Sequence, residues 1–528
     1  MPERNVGGWL ARLSPFLDAC SIFIALLVVL AVFGSVAGPV WDPPPVLEQI
    51  VPETSSTAIG GLAAGIAAGR AFEPGTFAVS EEITDIPLEG ASTAALLRLP
   101  IGADFPVPAL LFVHGAGSGL FTDAFVDQAS VLASMGIATL VPNKRSDNYS
   151  TFHRDYEAMA LDYLGSFQFL QSLAAVDVTR VGVYSESEGT WIAPIMSTLA
   201  PDIAFNVFVS PPVVLPRLQV AFAADQYLRE TRVPWQVFRA IPRALGMSFP
   251  GTILAYADFD VSPWLAQLDQ PILVVYGTAD ISMPLVQGAQ EIIEIASRAA
   301  VTVRYYEGAN HGIRVSGQVV PEFIRDVGNW VQGLPETGNA SPQIAGGQPV
   351  QMFLAAPFGE TRWWGDGNIV IGSVLFAVLL FLAAALLWFR YRKLLRPRTS
   401  FRPRKPFGNN VWRAILWLAI SVVISLGALV AYLISVGQLA FRYLNNDLLV
   451  QGGWIVVRLL GAGAVACLAW LITQVRRFGG LPTSATEPGR PVSKLAAVAA
   501  PLTFWLVVGG ATILLLWLAY WGIFQIGI

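Results

Sequence analysis

Val181-Gly182-Val183-Tyr184-Ser185-Glu186-Ser187-Glu188-Gly189-Thr190-Trp191 reads as a buried strand that runs into a sharp turn and then a helix. Ser187 stands at the tip, where a tight strand-to-helix junction lifts a hydroxyl above the edge of a sheet. Gly189 allows the backbone to pass closely by a neighbour. Ser185 occupies a position where such junctions usually carry glycine, and it is small enough to fit. Serine and glycine are common in turns of every kind, so the meaning of this stretch depends on what surrounds it.

Working outward, strand patterns recur upstream at residues 76–79, 94–99, 109–113 and 138–141, with helical patterns at 125–134 and 155–174. The run 109–113 ends in His114-Gly115-Ala116-Gly117-Ser118-Gly119. Downstream come a strand at 205–209, a strand at 272–276 ending in Gly277-Thr278-Ala279-Asp280, a helix at 285–297, and a strand at 301–306. That last strand leads into Glu307-Gly308-Ala309-Asn310-His311-Gly312, and an amphipathic helix at 321–331 follows. This alternation predicts an α/β domain over residues 76–335, with a parallel sheet covered by helices on both faces. Residues 211–265 carry no strand pattern, but hold Phe222, Tyr227, Trp235, Phe238, Phe249 and Tyr256 among several prolines. They are expected to form a helical cap over the end of the sheet where connections carry function.

Composition requires a second environment. The chain of 528 residues is 54% hydrophobic and only 13% charged, against about 25% charged in ordinary soluble domains. Its mean hydropathy is +0.55. Residues 19–37 form an uncharged apolar run near the ~20 residues that a spanning helix needs, preceded by Arg4 and Arg12. Ser35-Val36-Ala37 resembles a signal-peptidase site, but the run exceeds the roughly 7–15 residues of a signal-peptide core. Residues 1–40 are therefore read as a retained anchor. Four more apolar runs lie at 369–389, 414–436, 454–475 and 502–524, giving a four-helix membrane domain over 368–528. Residues 41–75 and 336–367, rich in Gly, Pro and Ala, read as linkers, the second ending in the interface pair Trp363 and Trp364.

Arginine and lysine crowd the loop after the first of these four runs (Arg390 to Arg413) and the loop after the third (Arg476, Arg477, Arg490, Lys494). Positive-inside counting then puts the N-terminus in the cytoplasm and the α/β domain and the C-terminus outside the plasma membrane. Arg458, within a spanning run, is expected to snorkel to the outer face, and Gly461 and Gly463 offer places for helices to approach. The net charge of −4 gives no basic surface for nucleic acid. Cys20 and Cys467 supply neither a disulfide framework nor a metal site, and no cofactor is implied.

A serine nucleophile needs a base. The histidines are His114, His153 and His311. His311 follows the last strand in a loop from which an imidazole can reach across the sheet edge. His114 more plausibly braces its turn, and His153 reads as a surface residue. Asp280, at the end of the preceding strand, can orient the imidazole and balance its charge; Asp258 and Asp260 precede their strand and would face the other end. An oxyanion needs donors, for which the backbone N–H groups of Glu188 and of Ala116, with Gly117 nearby, are candidates. The side chains of Glu186 and Glu188 are expected to be exposed near a helix start, favoured by its dipole.

The order Ser187, Asp280, His311, with His114-Gly115-Ala116-Gly117, Asn143-Lys144-Arg145 and Gly308-Ala309-Asn310-His311, resembles the bacterial α/β-hydrolases of the dienelactone-hydrolase, prolyl-oligopeptidase-like and bile-acid-acyltransferase-like thioesterase group. This chain has Asn143 where that family has Asp, and Ser185 and Thr190 where it commonly has Gly. The resemblance implies an α/β-hydrolase fold and a serine hydrolase of small-molecule or lipid acyl substrates. A peptidase or acyltransferase would use the same three residues. A non-catalytic module binding membrane-protein partners through the C-terminal helices is the rival of another class.

Overall fold

The computed structural model describes residues 6–59, 72–117, 119–249, 253–339, 341–359, 361–394, 409–441, 444–477 and 494–525. Ser118 and, among the basic loop residues used to count topology, Arg396, Arg398, Arg402, Arg404, Lys405 and Arg490 fall outside them. The chain divides into two units: 43–226 with 251–357, and 1–42 with 227–250 and 358–528.

The first unit is built on strands β1 (Ala78–Leu88), β2 (Ala91–Ile101), β3 (Val107–Val113), β4 (Ala138–Pro142), β5 (Val176–Glu186), β6 (Asn206–Val209), β7 (Ile272–Gly277) and β8 (Val301–Tyr306). A short hairpin of β9 (Arg314–Val315) and β10 (Gln318–Val319) follows, then β11 (Ile344–Gly346). The large sheet has the order β1-β2-β4-β3-β5-β6-β7-β8-β11. From β4 across to β11 neighbouring strands run parallel, while β1 and β2 form an antiparallel hairpin and β2 meets β4 antiparallel. This is an α/β-hydrolase fold, and the sheet is mixed rather than wholly parallel. The connection between β1 and β2 is too short for a parallel crossover, which needs a dozen residues or more.

Strand alternation sorts the core onto two faces. Ala109, Leu111 and Val113 of β3 point to one side, with Tyr163 and Phe167 of helix α3 (Tyr156–Gln171) and Ile192 and Met196 of α4 (Gly189–Leu199). Leu110 and Phe112 point to the other, with Leu132 of α2 (Val126–Ser134) and Phe323, Val327 and Trp330 of α9 (Pro321–Gln332). Each such side chain, fully buried, contributes about 1.5–3 kcal/mol. Asp155 starts α3 by accepting the Ala158 N–H at 3.0 Å, the usual service of an aspartate at an N-cap.

The segments that read as linkers are partly built into this unit. Residues near Pro45 and Phe353 pair as a bridge, the Glu53 N–H donates to Ile344 at 3.0 Å, and β11 lies against β8. Their glycines and prolines limit regular structure without preventing main-chain pairing. The excursion 211–265 is likewise divided. It contains α5 (Pro216–Glu230), α6 (Ala240–Leu245) and α7 (Ser262–Leu265), and its middle, 227–250, groups with the long apolar helices. There the Tyr227 hydroxyl donates to Leu444 O at 2.8 Å, the Arg243 guanidinium to Gly34 O at 2.9 Å, and the Ser248 hydroxyl to Asp366 at 2.6 Å. Outside the second unit, α8 (Leu285–Ile295) completes the hydrolase helices.

The second unit holds α1 (Val6–Val36), α10 (Gly367–Leu394), α11 (Asn409–Phe441), α12 (Gly453–Arg477) and α13 (Lys494–Tyr520). All five are long and apolar enough to cross a bilayer. Glycine sets the close crossings. A Cβ at Gly34 of α1 would collide with the Ala519 carbonyl of α13, and one at Gly510 would sit 3.1 Å from the Ala377 carbonyl of α10. Gly461 faces Ile523, whereas Gly463 faces open space, so only the first serves an approach. The Arg458 guanidinium donates to Gln525 O at 2.7 Å and Ile523 O at 3.3 Å, in the residues just beyond α13. Replacing Gly34 by Leu should therefore lower the melting temperature of the detergent-solubilised protein, by about 1–3 kcal/mol of stability, while Gly463→Leu leaves it nearly unchanged; thermal unfolding of the two variants checks this.

Candidate active site

Ser187 follows β5 directly and takes a φ of 54°, the left-handed conformation that a sharp junction requires and a side chain resists. Its N–H donates to Val209 O at 2.9 Å. Thr190 closes the turn onto the Ser187 carbonyl with its N–H at 2.9 Å and its hydroxyl at 2.7 Å. A Cβ at Gly189 would lie 2.6 Å from the Val113 carbonyl, so glycine is needed for α4 to start this close to β3. Ser185 is fully buried and donates to Val207 O at 3.3 Å.

The candidate acid and base are carried to the same edge. Asp280 lies just beyond β7 and His311 in the loop after β8. Their contact, Asp280 Oδ2 to His311 Nδ1, is 2.8 Å. Because the carboxylate accepts, Nδ1 carries the hydrogen and Nε2 is left as the basic nitrogen. Val209 holds the Ser187 N–H, and the next residue, Ser210, donates its hydroxyl to the His311 carbonyl at 2.7 Å. The last residue of β6 and the one after it thus touch the candidate nucleophile and the candidate base respectively. Ser282, not singled out from sequence, gives its N–H (2.9 Å) and hydroxyl (2.6 Å) to Asp280 Oδ1. The Asp280-Ile281-Ser282 spacing, an aspartate followed by a donor two residues on, is the local signal for it.

Burial opposes the charge on Asp280, but His311 and the two Ser282 bonds outweigh it and hold the carboxyl below its usual range. For His311, burial pushes down, while the Asp280 charge and hydrogen bond, helped by Glu186, leave it above the usual imidazole value. His114 goes the other way. Burial lowers it to about 4, so it is neutral, and its Nε2 hydrogen is given to the Pro142 carbonyl at 2.6 Å. That makes it a brace beneath the glycine-rich loop. His153 is exposed, its N–H donating to the Ser150 hydroxyl at 3.1 Å. Asp258 pairs with Arg217 at 2.6 Å, and Asp260 accepts from the start of α7 at 2.9 Å.

Neither flanking glutamate behaves as an exposed helix-start carboxylate. Glu186 is half-buried, and its carboxyl is raised by burial, against the pull of His311 and Arg314. It lines a cavity of about 360 Å³ with Gly115, Ala116, Gly117, Gly312 and Arg314. Glu188 is 2% exposed. Its carboxylate accepts from Lys144 at 3.1 Å, Tyr149 at 2.8 Å, Tyr156 at 3.3 Å and, most closely, Arg154. Burial and Arg154 push the Lys144 ammonium below its ordinary value, and Glu188 restores part of that.

The glycine-rich loop lies against the elbow: a Cβ at Gly115 would sit 3.2 Å from that of Ser187. Of the two loop donors suggested by sequence, the Gly117 N–H points to the Tyr149 hydroxyl at 3.4 Å, which leaves Ala116 as the better placed. Among the described residues no cluster of His, Cys, Asp and Glu could hold a metal ion.

No family model matches the chain, and no curated protein matches it. Solved structures do. A dienelactone hydrolase from Anabaena variabilis is 15% identical, covering 48% of this chain and 95% of its own, with a TM-score of 0.34. An esterase from Pyrococcus furiosus is 15% identical, covering 55% and 97%, with a TM-score of 0.34. A putative dipeptidyl aminopeptidase IV from Bacteroides ovatus is 17% identical, covering 48% and 36%, with a TM-score of 0.36.

If His311 must be neutral to accept a proton, kcat/KM rises with pH through a midpoint above the free-imidazole value of about 6.5. Because the Glu186 charge supports protonated His311, Glu186→Gln should shift that midpoint downward. A pH–rate profile of both proteins on one ester measures the difference.

Proposed function

We propose that the protein is a membrane-anchored serine hydrolase that cleaves acyl esters, such as a lipid or cell-envelope ester, outside the plasma membrane. The observation that carries this reading is the 2.8 Å Asp280–His311 contact at the sheet edge that also bears Ser187 in its left-handed turn. Ser187 is the nucleophile, His311 the general acid and base, and Asp280 the residue that fixes the imidazole tautomer.

In the first half-reaction the Ser187 proton passes to His311 Nε2 while Oγ bonds to the ester carbonyl carbon. The tetrahedral oxyanion is met by the Glu188 and Ala116 N–H groups. Collapse breaks the bond to the alcohol, which leaves with the proton from His311, and the acyl group remains on Ser187. Water repeats the sequence and releases the acid. Five helices long and apolar enough to cross a bilayer support a substrate presented at a membrane. Positive-inside counting supports a cytoplasmic N-terminus and an external C-terminus.

Purified protein in detergent is expected to label with a fluorophosphonate probe, and Ser187→Ala and His311→Ala to lose labelling. Ser187→Ala should reduce ester hydrolysis by roughly 10⁶-fold, to the assay background, and Asp280→Asn by about 10⁴-fold. A folded wild type that does not label counts against the reading, as does labelling that persists in Ser187→Ala.

A further inference from the structure

The strongest unassigned feature is the buried group around Glu188. Lys144 and Glu188 are each only 2% exposed at the side chain, and they sit 44 residues apart in sequence. Lys144 Nζ lies 4.1 Å from the centre of the Tyr149 ring and makes two hydrogen bonds, to the Glu188 carboxylate at 3.1 Å and to the Gly115 carbonyl. The second decides what the first is for. Gly115 C=O and Ala116 N–H belong to one planar trans peptide unit, in which the oxygen and the hydrogen point in opposite directions. An ammonium that holds the oxygen on one side turns the Ala116 N–H to the other. It also polarises the peptide, which strengthens that N–H as a donor. Glu188 is at the same time the residue whose backbone N–H is the second donor, and its side chain is clamped by Lys144, Tyr149, Arg154 and Tyr156. Tyr149 adds a third link, since its hydroxyl donates to Glu188 and faces the Gly117 N–H.

We propose that Lys144 is a positioning residue for the oxyanion hole, its ammonium fastening the Gly115–Ala116 peptide to the Glu188 carboxylate so that the two backbone donors converge on one point. Lys144 touches no substrate. Its effect is confined to the charge that develops in the tetrahedral state, because the ground-state ester makes far weaker demands on the same donors. This rests on the serine-hydrolase reading above.

The test uses the full-length protein in detergent, a p-nitrophenyl ester as substrate and an arylboronic acid as the mimic of the anionic tetrahedral adduct. Lys144→Met should lower kcat by about 10²-fold or more with KM little changed, and weaken the boronate by a comparable factor. A merely structural role would not move the boronate and KM apart. The double variant Lys144→Met/Glu188→Gln, which removes both charges of the pair and leaves Arg154 over the Tyr149 and Tyr256 rings, keeps the test decisive if the single variant is poorly folded, and should show the same split. Arg145→Met, next in sequence, should leave both quantities unchanged. A folded Lys144→Met or double variant with wild-type kcat, or with kcat and KM lost together and the boronate affinity retained, overturns the proposal. A wild type that reacts with a fluorophosphonate only through Ser187 keeps the serine-hydrolase reading standing in that case, and one that does not react at all removes both.

Discussion

The candidate site depends on one close approach, the backbone of Gly189 against the Val113 carbonyl. Because no side chain intervenes there, α4 can begin almost on top of the β3 edge, and the turn before it must be tight enough to force Ser187 into the left-handed region. The rest of the edge is arranged to hold that strain. Thr190 ties the turn to itself, Val209 takes the Ser187 N–H, and the Gly115 loop presses on it from the other side. Ser185 shows where glycine is dispensable: its hydroxyl finds Val207, so a small polar side chain fits a buried position usually left empty.

What the sequence made legible follows from range. Strands β3, β7 and β8, helix α9 and the five long apolar helices were readable because period and apolar length are local properties. Asp280 and His311 were readable because chain order places them after successive strands. The Glu188 cluster was not. A carboxylate at a helix start is ordinarily solvated, and nothing nearby in sequence announces that Lys144 and Arg154 will bury it. The same limit hid the pairing of residues near Pro45 with those near Phe353; the β1–β2 hairpin, by contrast, is a local feature, closed by a two-residue connection.

Arg458 illustrates how a charge in an apolar helix finds a partner that local reasoning does not name. A guanidinium near the end of a long apolar helix needs polar company, and the carbonyls of Ile523 and Gln525 supply it. The charge meets oxygens just beyond the end of a neighbouring helix, where carbonyls lack partners within the helix.

Residues 227–250 interrupt the hydrolase sequence yet pack with helices on both sides of it, holding Gly34 of α1 on one hand and Leu444 and Asp366 on the other. During synthesis this segment leaves the ribosome after α1 but before any of the four later helices exists. Its aromatic side chains must therefore wait, partly unhoused, through more than a hundred further residues of translation. Folding of the chain is consequently coupled from end to end: an α/β unit released by cutting away the long apolar helices would carry in its middle a segment whose partners had been removed.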